Sequence, residues 1–193
     1  SILRNSWNNH NWYGIMSVYE QGIGESFKLT AGLDGRVYNS EHFRNVRNLL
    51  GGDYYIETGY DEGQTIQFVN QDGQFEQIEN GRIQYKGDKV AYHYETSIDY
   101  LGAFASGEFE TESISAYVSG AISNSWYQRT EIMSPEDASV LESGEPQVES
   151  DVLSFLGYTA KAGANFKIGD YHNVFVNGGY FERPPYFRFV FLN

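Results

Sequence analysis

The sequence predicts an all-β chain: part of a transmembrane, antiparallel, up-and-down β-barrel with long extracellular loops. Three observations carry that prediction. The first is one long alternation, in which Leu156, Tyr158, Ala160, Ala162, Ala164, Phe166 and Ile168 interleave with Gly157, Thr159, Lys161, Gly163, Asn165 and Lys167. Successive side chains of a strand point to opposite sides, so this strand is apolar on one side and polar on the other. A strand of a soluble sheet usually needs about 5–6 residues. A tilted strand that crosses a bilayer needs about 9–11, and this one is long enough. The second observation is a rhythm of short and long connections between strands. The third is an aromatic content of 17%, with 16 Tyr, 13 Phe and 3 Trp, which suits aromatic belts at membrane interfaces.

In chain order, residues 1–11 are polar and Asn-rich (Asn5, Asn8, Asn9, Asn11) and read as a loop. Trp12 to Tyr19 is strand-like, and Glu20 to Ser26 makes a short turn. Phe27, Leu29, Ala31, Leu33, Gly35 and Val37 then alternate with Lys28, Thr30, Gly32, Asp34, Arg36 and Tyr38. Residues 39–88 form the first long loop, rich in Gly and acidic residues, within which Thr65–Val69 and Arg82–Tyr85 read as short strands. Such a loop is rare in a compact soluble domain and ordinary outside a barrel. The next strand carries Val90, Tyr92, Tyr94, Ile98, Tyr100 and Phe104 on one side and His93, Glu95, Ser97 and Asp99 on the other. Ala105 to Glu108 reads as a turn. Ile114, Ala116, Val118, Gly120, Ile122 and Trp126 alternate with Ser113, Ser115, Tyr117, Ser119, Ser123 and Ser125, and residues 129–151 form the second long loop. The last hairpin turns at Gly169 to His172 and returns through Asn173 to Phe181. Trp12, Tyr38, Tyr92, Trp126 and Tyr158 fall near the long-loop ends, and Phe27, Phe104 and Phe166 near the turns, as two girdles would.

The net charge of -13 argues against nucleic acid, which needs clustered Lys and Arg. With no Cys there is no disulfide framework and no thiolate chemistry. No N-terminal signal or long apolar run is visible. The chain begins at Ser1 and ends on strand-like residues, Phe187 to Asn193, so it reads as a piece of something longer.

No Gly-x-Ser-x-Gly elbow, phosphate loop or metal-spaced histidine pair occurs, so neither catalysis nor a cofactor is expected. His93, near Glu95 and Asp99, reads as part of a satisfied polar network. Asp53, Glu57, Asp61 and Glu62 lack the spacing of a calcium loop and read as a solvated acidic surface. In the first long loop Arg44, Arg47, Tyr54, Tyr55 and Tyr60 are the candidate ligand-binding residues. Aromatic faces with bidentate Arg donors suit sugar or peptide capture, although loop–loop packing would use the same residues.

Asn11-Trp12-Tyr13-Gly14, the run from Phe27 to Arg36, the run from Arg47 to Tyr55 and the run from Tyr171 to Pro185 resemble barrel segments of TonB-dependent outer-membrane receptors. The Bacteroidetes, SusC-like branch is nearest in character. The resemblance implies a 22-stranded barrel, of which residues 1–193 are a portion, with the plug domain outside this chain. It also implies multi-pass placement in the bacterial outer membrane and nutrient import. The partners implied are outer-membrane lipid, the remaining strands and plug, TonB acting through that plug, and a surface lipoprotein. Glycan, peptide and siderophore all stay open as cargo. Two other readings fit the pattern: a small non-transporting outer-membrane barrel or adhesin, and a soluble β-sandwich binding module.

Overall fold

The computed structural model describes residues 1–58, 64–70, 72–133, 148–169 and 171–191. Its strands are β1 (Leu3–Ile23), β2 (Phe27–Asn48), β3 (Tyr55–Glu57), β4 (Gln64–Val69), β5 (Phe75–Gln84), β6 (Lys89–Glu110), β7 (Ile114–Met133), β8 (Val148–Glu149), β9 (Leu153–Ile168) and β10 (His172–Glu182), followed by a helix α1 (Phe187–Phe191). The chain is therefore all-β, as expected. The main sheet is antiparallel and up-and-down, in the order β1-β2-β6-β7-β9-β10, with β8 paired to β7. A second sheet, β3-β5-β4, is inserted between β2 and β6. Among the described residues β1 and β10 are the outer strands, and no helix is long and apolar enough to cross a membrane, which says nothing of strands.

Several expectations need correction. Residues 1–11 are not a loop, because β1 starts at Leu3. Their amide and indole side chains bond across to β2 instead of making turns: Trp7 Nε1 donates to Asn45 Oδ1 at 3.1 Å and Asn9 Nδ2 to Glu41 Oε2 at 3.1 Å. Ala105–Glu108 is not a turn either. β6 runs through it to Glu110, and the reversal lies at residues 111–113, where Thr111 Oγ1 accepts from Ile114 N at 3.0 Å. Gly107 is there for room, since a Cβ added to it would lie 3.1 Å from the Phe27 ring. Phe187 begins a helical turn, not a strand. Pro184 and Pro185 offer no N–H to continue a ladder, and Phe189 N donates to Tyr186 O at 2.9 Å.

Residues 39–88 hold more strand than a loop reading allows. β2 continues to Asn48, and β4 and β5 cover the short strands expected at Thr65–Val69 and Arg82–Tyr85 as far as Gln84. β7 likewise enters the second long connection and reaches Met133. Asp61 and Glu62 lie outside the described residues.

By its contacts the chain divides into two units, with strands β1, β2, β6 and β7 contributing to both. The first comprises Ser1–Asn11, Asn39–Ser97 and Gln128–Asp151, and the second Trp12–Tyr38, Ile98–Tyr127 and Val152–Asn193. The first unit holds the fully buried Val46 and Val90, and the Ile56, Ile66 and Ile78 side chains converge on Gly81.

The second unit is organised by side. Register places Ile114, Phe166 and Val174 in one row across β7, β9 and β10, Ala116, Ala164 and Val176 in the next, and then Val118, Ala162 and Gly178. On the same side Ile15 and Leu101 flank Gly35, while Phe27 and Val118 flank Gly107. This side is apolar and open: Ile15 is 77%, Val118 61%, Leu33 58% and Leu101 57% exposed. The opposite side of β7 and β9 carries Ser115, Ser119 and Ser123 opposite Asn165, Lys161 and Gly157. Here β6 differs from expectation. Its even-numbered residues belong to this polar side, because Tyr100 lies under the Arg36 guanidinium, 5.3 Å from ring to Cζ, and a Cβ on Gly32 would collide with the Phe104 ring.

Candidate ligand-binding surface

Strand alternation in the first unit sorts its polar and aromatic side chains into two sets. One set comprises Asn8 and His10 from β1, Ser40, His42 and Arg44 from β2, Tyr92, Tyr94 and Thr96 from β6, and Arg129 and Glu131 from β7. His42 stacks on Tyr94 with ring centroids 4.9 Å apart and meets His10 edge-on at 5.3 Å. The Arg129 guanidinium lies 4.2 Å from the Tyr94 ring centre, and its Nη2 pairs with Glu131 Oε2 at 2.7 Å. Arg44 sits 4.9 Å from the Tyr92 ring.

A hydrogen-bonded chain orients the histidine at the centre of this set. Ser40 Oγ and Thr96 Oγ1 are 2.6 Å apart, His42 Nε2 is 3.0 Å from Ser40 Oγ, and His42 Nδ1 is 2.6 Å from Asn8 Oδ1. All groups are satisfied when Thr96 donates to Ser40, Ser40 donates to Nε2, and Nδ1–H donates to Asn8. That arrangement needs a neutral ring. Burial holds the His42 pKa below its ordinary value, and the charges of His10 and Arg129 add to the effect.

The other set centres on Glu41. Its Oε1 accepts from Lys89 Nζ at 3.2 Å and from His93 Nε2 at 2.9 Å, and its Oε2 from Asn9. Burial alone would raise the Glu41 pKa, but the hydrogen bonds from Asn9, Lys89 and His93 outweigh it and hold the carboxyl below its ordinary value. His93 is held low by burial and then by the Lys89 ammonium, against the pull of Glu41 and Glu95. Phe43 closes this set, with Lys89 Nζ 4.4 Å from its ring and His93 edge-on at 5.6 Å. The Glu41, His93 and Glu95 ligand atoms come within 4.8 Å of one another. The Lys89 ammonium already supplies Glu41 with the positive charge that a metal ion would bring, and we assign no metal here. A polar groove of about 560 Å³ adjoins them, lined by Asn9, Asn39, Glu95, Gln128, Thr130 and Glu149 among others.

Of the residues expected from sequence, Arg44 is half-buried over Tyr92, Arg47 is exposed near the end of β2, and Tyr54 is exposed ahead of β3. Tyr55 opens β3 opposite Gln84, and Tyr60 lies outside the described residues. Arg44 finds its aromatic partner in Tyr92, from another strand. His10, His42, Tyr94 and Arg129 were not anticipated. The even-number alternation His10, Trp12 and Ser40, His42, Arg44 was the available signal. Among family models, curated proteins and solved structures, nothing matches this chain.

Proposed function

We propose that this chain is part of the wall of a TonB-dependent outer-membrane receptor barrel that imports a nutrient. In this reading the apolar side of the second unit faces lipid and the polar side faces the lumen, with the remaining strands supplied by the rest of a 22-stranded barrel. One observation carries it: the apolar side that β1, β2, β6, β7, β9 and β10 share is exposed along its whole width. Soluble monomers rarely expose contiguous apolar patches beyond a few hundred Å². A bilayer is the solvent such a surface fits, and strands cross it only in a closed barrel, where every backbone group is paired. Along β2 the side bearing Leu33 and Val37 goes on as Asn39 and Glu41, and along β1 the side bearing Ile15 and Tyr13 goes back to Asn11 and Asn9. Apolar residues giving way to amides and carboxylates is the pattern of a strand leaving the hydrocarbon layer.

Residues 39–88 and 129–151 then lie outside the cell, and the His42–Tyr94–Arg129 and Arg44–Tyr92 arrangements meet the nutrient. The turns after β1, β6 and β9 lie in the periplasm. The test is labelling of single cysteines on whole cells with an impermeant reagent. Gln74→Cys should label on intact cells, and Tyr171→Cys only after the outer membrane is permeabilised. The reverse result overturns the topology.

A further inference from the structure

The second unit holds a pocket of about 550 Å³ on its polar side, within the range of about 300–1,000 Å³ common for ligand sites. Its walls are rings. Trp12 and Tyr38 meet edge-on at 5.4 Å, Tyr100 lies under Arg36, and Tyr127 contacts Phe187 at 5.6 Å. The segment after β10 forms one wall, because the Tyr127 hydroxyl donates to Pro185 O at 3.1 Å and Pro184 lies against Gly157. Ser123, Ser125 and Thr159 add hydroxyls.

Two guanidiniums line this pocket, and they differ. Arg36 is neutralised by Asp34, which accepts from Nε at 3.0 Å and Nη2 at 2.5 Å. Arg183 has no hydrogen bond, ion pair or ring contact among the described residues. Glu182 also lines the pocket, and its carboxylate is engaged by the Tyr180 hydroxyl, from which it accepts at 3.1 Å. The pocket thus combines aromatic planes, hydroxyls and one uncommitted planar cation.

We infer that this pocket binds a six-membered ring carrying a carboxylate, with the ring against the aromatic walls and the carboxylate forked onto Arg183. Two sources share that chemistry, a uronic acid and an aryl carboxylate. The site stands apart from transport: binding is read without uptake, so its failure leaves the import reading intact, and the reverse holds too.

The test is calorimetric titration of the protein, extracted in mild detergent, with methyl glucuronide against methyl glucoside and with 4-hydroxybenzoate against 4-hydroxybenzyl alcohol. At least one acid should bind tenfold or more tightly than its uncharged counterpart, and the better acid names the source. Arg183→Gln should erase that preference and Arg183→Lys should keep part of it, with circular dichroism unchanged in both. Absence of any preference in the unaltered protein, or a preference that survives Arg183→Gln, overturns the assignment.

Discussion

Ser40 on β2 and Thr96 on β6 bring their hydroxyls within 2.6 Å of each other at a buried position, and through Ser40 the pair holds His42. Ser40→Ala leaves Thr96 and the His42 Nε2 short of a partner at once. A buried polar group left unsatisfied costs about 1–3 kcal/mol. We expect a stability loss of that size from chemical unfolding, and a Ser40→Ala/Thr96→Val double variant less destabilised than the sum of the singles. Additive losses would show that the hydroxyls do not act together.

Acid should loosen the first unit in two steps. The folded His93 and His42 have pKa values below the ordinary 6.5, so the unfolded chain takes up their protons first. Their contribution is complete above about pH 6.5 and declines as pH falls below it. Glu41, held below the ordinary 4.5, contributes above that pH and loses its contribution as pH falls through its folded value. Melting temperature followed from pH 7.5 to 4 should fall in both ranges. His93→Gln should flatten the upper one, and an unchanged curve in that variant would clear His93 of the effect.

The two sides of β9 should respond oppositely to a charge. Ala162 is on the open apolar side, and Thr159 borders the 550 Å³ pocket. Under the proposed membrane placement Ala162 is a mid-strand lipid position, where an Arg costs about 2–4 kcal/mol, so Ala162→Arg should lose roughly that, measured by unfolding from lipid vesicles. Thr159→Arg should lose little. Equal losses would remove the facing assignment.

Gly32 tolerates no side chain. An added Cβ would lie 2.5 Å from Ser17 O, a backbone atom that cannot rotate away, and would also strike the Phe104 ring. Overpacking of this kind costs about 1–3 kcal/mol. Gly32→Ala should unfold at lower denaturant, and Gly32→Ala with Phe104→Leu should recover part of the loss. Recovery of the whole loss would mean that Ser17 moves freely.

Where a strand is apolar on one side only, as β9 is, its side chains announced their facing in sequence. β6 did not, because Tyr100 and Phe104 are large and apolar yet lie on the polar side over Arg36 and Gly32. Hydrophobicity alone cannot separate a lipid-facing ring from one that covers a glycine or a guanidinium. Asn8 and Asn9 read as loop residues because a polar, Asn-rich run favours loops when no neighbouring strand is known. The partners that make them strand residues, His42 and Glu41, are more than thirty positions away. The same distance hid the candidate surface. Arg44 could be named, but Tyr92 becomes its partner only once β2 and β6 are adjacent.

The ring-on-glycine pairs have a consequence for assembly. Phe27 covers Gly107 and Phe104 covers Gly32 between β2 and β6, one pair on each side of the sheet, and Tyr117 covers Gly163 between β7 and β9. A slip of one residue is forbidden by the side pattern, but a slip of two preserves it. Only a feature that repeats at no other position can catch that error, and each pair is such a feature, because a two-residue slip drives the ring into a side chain. The glycines act as keyholes, so that long, similar strands have one alignment in which every aromatic key turns.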